Sequence, residues 1–178
     1  DIDSFFKDAG EYKYWKGWWA KEPASLEHRL INYIFNTHWP LDLKNIMNLQ
    51  TDGFEYWKGL YKASKDNKPV TLENSLENHL DDDVNYRRVT GKTMFPILGC
   101  VYYPKGFNFE GGELALYENN KDTNPEIIKA KPNRLIIFRP GQTHHAVLPV
   151  TKGSRGAIAI NVWATEPWSV ANGYITLE

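Results

Sequence analysis

From Val70 to Trp163 the sequence breaks into short apolar runs, each closed by a turn signal. This succession limits the possible folds more than any other feature. The runs are VTLENSLENHL, MFPILGCVYY, ELALY, EIIKA, RLIIFRP, HAVLPV and GAIAINVW. Between them lie Lys105-Gly106, Gly111-Gly112, Asn119-Asn120, Pro132-Asn133, Pro140-Gly141 and Lys152-Gly153, pairs that favour chain reversal over continued helix or strand. The first run alternates: Val70, Leu72, Leu76 and Leu80 against Thr71, Glu73, Glu77 and His79. A period of two gives a strand with one apolar face. Many short strands at close spacing predict an all-β barrel or sandwich.

Upstream the pattern is different. In SLEHRLINYIF, Leu26, Leu30, Ile31 and Ile34 recur at helical spacing behind Ser25, a good N-cap. A helix is predicted there, ending near Asn36. A second helix is predicted over FEYWKGLYKAS, with Tyr56, Trp57, Leu60 and Tyr61 on one face and KDNKP as its breaker. Helices first and strands after imply a sheet-built barrel with N-terminal helices on one outer face. Trp15, Trp18 and Trp19 are expected to plug the core, the alternative being one wall of a substrate cleft. His28 and His38 read as surface or core-edge residues, not ligands.

The balance of 21 Lys and Arg against 22 Asp and Glu gives no electrostatic attraction to nucleic acid or an anionic membrane, so neither is an expected partner. No apolar run approaches a membrane span. The single cysteine, Cys100, excludes a disulfide within the chain and fits an inert core thiol. With it goes an expected reducing, cytoplasmic location. A length of 178 residues is enough for one domain with a sizeable core.

Two stretches carry chemistry: ENHLDDD, and GQTHHAVLPVTKGSRGAIAINVW. On a strand that continues past His79, His79 and Asp81 share a face, with Cβ atoms roughly 6–7 Å apart at a rise of about 3.3 Å per residue. An imidazole and a carboxylate so placed can converge on one ion. Two histidines and one carboxylate with open positions are the ligand set of non-haem Fe(II) oxygenases. His144 or His145 would supply the second imidazole. On the residues alone, a solvated acidic turn or a calcium site at Asp81-Asp82-Asp83 stays open.

The order GGELALY, NRLIIF, HAVLPVTKGSRGAIAI, set behind His79-Leu80-Asp81, resembles the 2-oxoglutarate- and Fe(II)-dependent oxygenases, in their prolyl-hydroxylase-like branch. The likeness runs from Glu77 to Trp163. It implies a double-stranded β-helix, a jelly-roll or cupin-like barrel, with His79, Asp81 and His145 as metal ligands and catalytic centre. His145 heads the His-x-Val-x-Pro-Val segment, which leaves His144 pointing the other way, as a structural residue or one that supports the ligands from behind. Arg155 matches the cation that holds the far carboxylate of 2-oxoglutarate, a task suited to a guanidinium. Tyr102 is the expected partner hydroxyl and Tyr103 the alternative.

The implied cofactor and co-substrates are Fe(II), 2-oxoglutarate and O2. The implied reaction is hydroxylation of an unactivated C–H in an amino acid, a peptidyl (for instance prolyl) or a small-metabolite substrate, releasing succinate and CO2. Asp81 favours hydroxylation over halogenation, because halogenating relatives carry a small residue there. The expected layout is one oxygenase domain, 1–178: a helical support region over 1–69, a β-helix core over 70–165 and a C-terminal tail over 166–178. Two rivals remain: a non-catalytic binding barrel of the same fold, and a cupin-like metalloenzyme that does not use 2-oxoglutarate.

Overall fold

The computed structural model describes residues 2–37, 51–63, 75–119 and 123–178. In chain order the elements are α1 (Ile2–Phe5), β1 (Lys13–Lys16), α2 (Leu26–Asn32), β2 (Gly53–Lys62), β3 (Leu76–His79), α3 (Val84–Thr90), β4 (Leu98–Tyr103) and β5 (Phe109–Gly111). There follow β6 (Leu114–Tyr117), β7 (Glu126–Ile128), β8 (Arg134–Phe138), β9 (His144–Val147), β10 (Val150–Trp163), α4 (Trp168–Ala171) and β11 (Thr176–Leu177).

The strands form two sheets. The larger runs β11-β1-β2-β10-β4-β8, with β5 paired to the start of β10; the smaller runs β3-β9-β6-β7. Tyr103, Ile136 and Ala157 of the large sheet pack with Leu114 of the small one, and Val101, Leu116 and Phe138 adjoin them. The sheets therefore face each other across an apolar interior, the double-stranded β-helix expected from the sequence.

Along the centre of the large sheet, register assigns the faces. Arg155, Ala157, Ala159 and Asn161 of β10 stand opposite Tyr61, Gly59, Trp57 and Glu55 of β2, and Ala159 and Asn161 opposite Val101 and Gly99 of β4. These residues face the interior. The intervening positions Phe54, Tyr56, Cys100, Ile158, Ile160 and Val162 face outward, where they join Trp15, Trp18, Ile31, Ile34 and Phe35 in the largest core cluster. Trp15 and Trp18 are thus core plugs, whereas Trp19 is exposed. Burial pushes the Cys100 thiol well above the ordinary thiol range, as befits an inert core residue. α2 starts as predicted, with Ser25 Oγ accepting from His28 N. His28 stacks on Trp15 with ring centroids 4.1 Å apart; His38 lies outside the described residues.

Several expectations need correction. The segment read as a second helix is β2, a ten-residue strand held on both edges by β1 and β10. Its aromatic residues fit helical spacing, but the decisive pattern is Glu55, Trp57, Gly59 and Tyr61 inward against Phe54, Tyr56, Lys58 and Leu60 outward. A strand covered on both faces has no polar stripe to mark its period. The region 1–69 accordingly supplies β1 and β2 to the main sheet and is not a purely helical support. The tail 166–178 holds α4 and returns β11 to pair in parallel with β1. HAVLPV is two strands, β9 and the start of β10, because the chain leaves the small sheet at Leu148-Pro149. Of the first alternating run, Leu76–His79 is strand, and 70–74 lie outside the described residues.

Candidate metal centre and carboxylate anchor

His79 closes β3 and pairs directly with His145 of β9, which brings the two rings to 4.3 Å between centroids. Asp81 is not on the strand: β3 ends at His79, and the next segment is tied down by Asp81 N donating to Pro140 O at 3.0 Å. It still delivers a carboxylate between the imidazoles. Asp81 Oδ1 lies 3.2 Å from His79 Nε2 and 3.4 Å from His145 Nε2. One ligand atom from each of the three residues lies within 4.8 Å of the others.

The protonation pattern suits a divalent ion. His79 Nδ1 meets Glu77 O at 2.7 Å and His145 Nδ1 meets Thr143 O at 3.0 Å. Each carbonyl holds a proton on Nδ1, as is usual for a metal-bound imidazole, so Nε2 is the atom that faces Asp81: it donates to the carboxylate while protonated and offers its lone pair to an ion once that proton is lost. Burial alone would raise the Asp81 pKa, but hydrogen bonds from His145, His79 and Asn161 outweigh it and hold the carboxyl well below its ordinary range. Burial likewise opposes charge on His79, yet Asp81 prevails and raises its pKa.

The neighbouring aspartates are occupied elsewhere. Asp82 pairs with Arg87. Asp83 caps α3 by accepting from Tyr86 N at 2.9 Å, and also accepts from Ser169 N at 2.7 Å. His144 faces away from the trio, opposite Tyr117.

Deeper between the sheets, on the inward face of β10, sits Arg155, 1 % exposed. Its guanidinium donates to Tyr103 Oη at 3.0 Å and lies over the rings of Tyr103 and Tyr61, at 4.8 Å and 5.2 Å from their centroids. Nε and one terminal nitrogen are buried without a partner. A buried cation with free N–H groups is costly unless an anion completes it. Those two orphan donors are what a carboxylate entering the barrel would bind. Gly112 makes room for the side chain: at φ +70° it suits few other residues, and a Cβ there would come 2.6 Å from Arg155 Cδ.

The expected hydroxyl, Tyr102, is elsewhere. It faces the outer cluster and donates to Asn133 Oδ1 at 3.0 Å. Strand alternation puts Tyr103 inward instead. Sequence reasoning also missed Trp57, Tyr61, Glu55 and Asn161; the first three were hidden by reading β2 as helix.

One cavity joins the two ends, lined by His79, Asp81 and His145, by Arg155 and Tyr61, and by Leu76, Val101, Leu114, Phe138, Val147, Ala157 and Ala159. It opens into a wider cleft bordered by Tyr12, Trp57, Tyr174, Asp82, Arg88 and Asn161. The residues therefore fit both a divalent ion bound through two nitrogens and a carboxylate oxygen, and a dicarboxylate reaching from that ion to Arg155. Among the described residues no helix is long and apolar enough to cross a membrane.

Residues 70–164 match the sequence model of the 2OG-Fe(II) oxygenase superfamily. No curated protein matches the chain in sequence. Among solved structures, the fold is similar to a prolyl-4-hydroxylase from Pseudomonas putida, with 17% identity, 82% of this chain and 71% of that one covered, and a TM-score of 0.52. It is also similar to the viral collagen prolyl hydroxylase of Paramecium Bursaria Chlorella virus-1 in its 2OG complex, with 17% identity, 93% and 85% covered, and a TM-score of 0.53. Some matched proteins are much longer: the chain covers 33% of a prolyl 4-hydroxylase from Phytophthora capsici, at 17% identity over 66% of its own length and a TM-score of 0.43.

Proposed function

Since the chain belongs to the 2OG-Fe(II) oxygenase superfamily, and with it to the dioxygenases that use Fe(II), 2-oxoglutarate and O2, we propose that it hydroxylates an unactivated C–H bond of a peptidyl substrate, prolyl residues first. The balance is R–H + O2 + 2-oxoglutarate giving R–OH + succinate + CO2. One observation carries this reading: His79, Asp81 and His145 converge at one end of a cavity whose other end holds a buried guanidinium with two unpaired N–H donors. A cupin-like metalloenzyme without 2-oxoglutarate has no use for that cation. A non-catalytic barrel has no use for the ligand trio.

Iron and 2-oxoglutarate, when bound, supply the oxidising chemistry, and the protein supplies position and environment. Glu77 O and Thr143 O orient the two imidazoles. Asp81 stays ionised and contributes the one anionic ligand. Arg155 and Tyr103 would take the distal carboxylate, with Tyr61 covering the guanidinium. The apolar lining keeps bulk water from the reacting atoms. The peptidyl assignment is supported by the prolyl hydroxylases that share the fold, and by an open cleft with aromatic residues Tyr12, Trp57 and Tyr174 at its border, a surface on which an extended proline-containing chain can lie.

The test is succinate release from 2-oxoglutarate with Fe(II), over a panel of proline-containing peptides, other peptides and free amino acids, followed by product mass. A gain of one oxygen atom on a prolyl peptide, stoichiometric with succinate, is expected. Oxidation confined to a free amino acid would overturn the peptidyl assignment, and absence of both metal and 2-oxoglutarate binding would overturn the enzyme.

A further inference from the structure

Asp81 has two oxygens, and the structure uses them differently. Oδ1 is the atom that both imidazoles face. Oδ2 accepts from Asn161 Nδ2 at 3.0 Å. Asn161 is 3 % exposed and sits inward on β10 between Glu55 of β2 and Gly99 of β4. Its Nδ2 also lies 3.5 Å from Glu55 Oε2, which accepts from Trp163 Nε1 at 3.1 Å. A primary amide has two N–H donors, so one can hold Asp81 while the other is held by Glu55. Gly99 is what lets this assembly close. A Cβ there would come 2.8 Å from Asn161 Oδ1 and 2.6 Å from Pro140 Cγ, and Pro140 is the residue whose carbonyl fixes the Asp81 amide.

We propose that Asn161, backed by Glu55 and Trp163, is a positioning residue that makes Asp81 bind iron through Oδ1 alone. This rests on the iron-site reading above. An octahedral ion with three protein ligands keeps three positions for 2-oxoglutarate and O2. A carboxylate free to rotate could bind through both oxygens and take one of them. A tether on Oδ2 prevents that. It also gives a role to two buried polar side chains, Glu55 and Asn161, that lie beside the site.

The experiment is anaerobic titration with Co(II), then with Fe(II) and 2-oxoglutarate, on wild type, Asn161→Ala, Glu55→Ala and Glu55→Gln. Loss of a hydrogen-bond partner behind a metal ligand typically lowers affinity by about 10–100-fold. Asn161→Ala is expected to weaken Co(II) about tenfold, to change the Co(II) visible spectrum, and to lose the Fe(II)–2-oxoglutarate charge-transfer band. Glu55→Ala should fall between wild type and Asn161→Ala. Glu55→Gln should restore near-wild-type affinity, because its amide oxygen can still accept from Trp163 and Asn161. A measurement on the unmutated protein guards against misfolding of the alanine variants. The Asn161 side-chain amide protons should be protected from solvent and shift when Zn(II) is added. Undiminished Co(II) affinity and an unchanged spectrum in Asn161→Ala would overturn the tether while leaving the metal site standing, as would Asn161 amide signals that ignore Zn(II). Wild type that binds no Co(II) would overturn the site and the tether together.

Discussion

Glu55→Gln makes a prediction about stability whose size can be worked from the structure. Glu55 is buried on the inward face of β2, and burial, with Asp81 close by, pushes its pKa from 4.5 up to about 7 against the opposing hydrogen bonds of Trp163 and Asn161. Between those two values the unfolded chain has released the proton and the folded chain has kept it. The folded state then binds more protons, so stability falls as pH rises through this window and levels off above it. At about 1.4 kcal/mol per pKa unit, the full effect is about 3 kcal/mol, an upper bound for a site that can relax. Glutamine has no proton to lose and keeps an acceptor for Trp163. The variant should therefore match wild type near pH 4.5 and gain on it steadily to about pH 7, with the excess constant beyond. Urea unfolding of both proteins in chelator, every half pH unit from 4.5 to 8.5, measures the difference directly, and titrations common to both cancel. Parallel profiles would show that Glu55 ionises at its ordinary pKa, and the burial argument would fail. A variant that loses ground with rising pH would show that the carboxylate is ionised and favourably paired in the fold.

Arg155→Ala should weaken 2-oxoglutarate by about 2–5 kcal/mol, the usual range for removing one member of a buried charged pair, while Co(II) affinity stays within about twofold; calorimetry of each ligand separates the two. Tyr103→Phe should weaken 2-oxoglutarate and Tyr102→Phe should not, since only Tyr103 reaches Arg155; equal effects would undo that distinction. Among the aspartates, Asp81→Ala should lose metal and succinate production, whereas Asp82→Ala should keep both. Asp83→Ala should keep the metal but unfold more easily, by about 1–2 kcal/mol for the lost helix cap alone, read from denaturant melts.

The candidate metal ligands were legible in the sequence through the order of the family's segments, since the residues alone left a solvated turn, a calcium site and His144 open. His79 and Asp81 are two residues apart, and His145 heads a segment whose composition marks a strand. Their geometry was only partly legible. A strand carried through Asp81 would have placed the carboxylate on the His79 side by alternation alone. In the structure the strand stops, and Asp81 is aimed by Pro140 O and Asn161, neither of them close to it in sequence. The carboxylate arrives in the expected place for a different reason. Tyr102 against Tyr103 shows the converse limit. Both fit a buried-looking run, and the choice depends on the parity of β4, which is set by its pairing with β10. β2 was misread because both its faces are covered, one by the N-terminal aromatic residues and one by the cavity. Long-range burial removed the alternation from which a strand would be recognised.

The interval between His145 and Arg155 follows from the path between the sheets. His145 lies on β9 of the small sheet and Arg155 on β10 of the large one, and the chain crosses between them at Leu148-Pro149. Leu148 N donates to Glu113 O at 2.9 Å, and Gly112 N donates to Pro149 O at 3.0 Å. The Gly111-Gly112-Glu113 bend therefore clamps the crossover. Gly112 has a second task in the same place, since its missing Cβ leaves the space that Arg155 Cδ fills. One bend thus sets both where the second sheet begins and how the Arg155 guanidinium enters the cavity. The His79-Asp81-His145 end and the Arg155 end of the cavity are spaced by backbone hydrogen bonds and one absent methyl group. A dicarboxylate of fixed length requires such spacing to be rigid, and a clamp built from backbone is less easily deformed than one built from side chains.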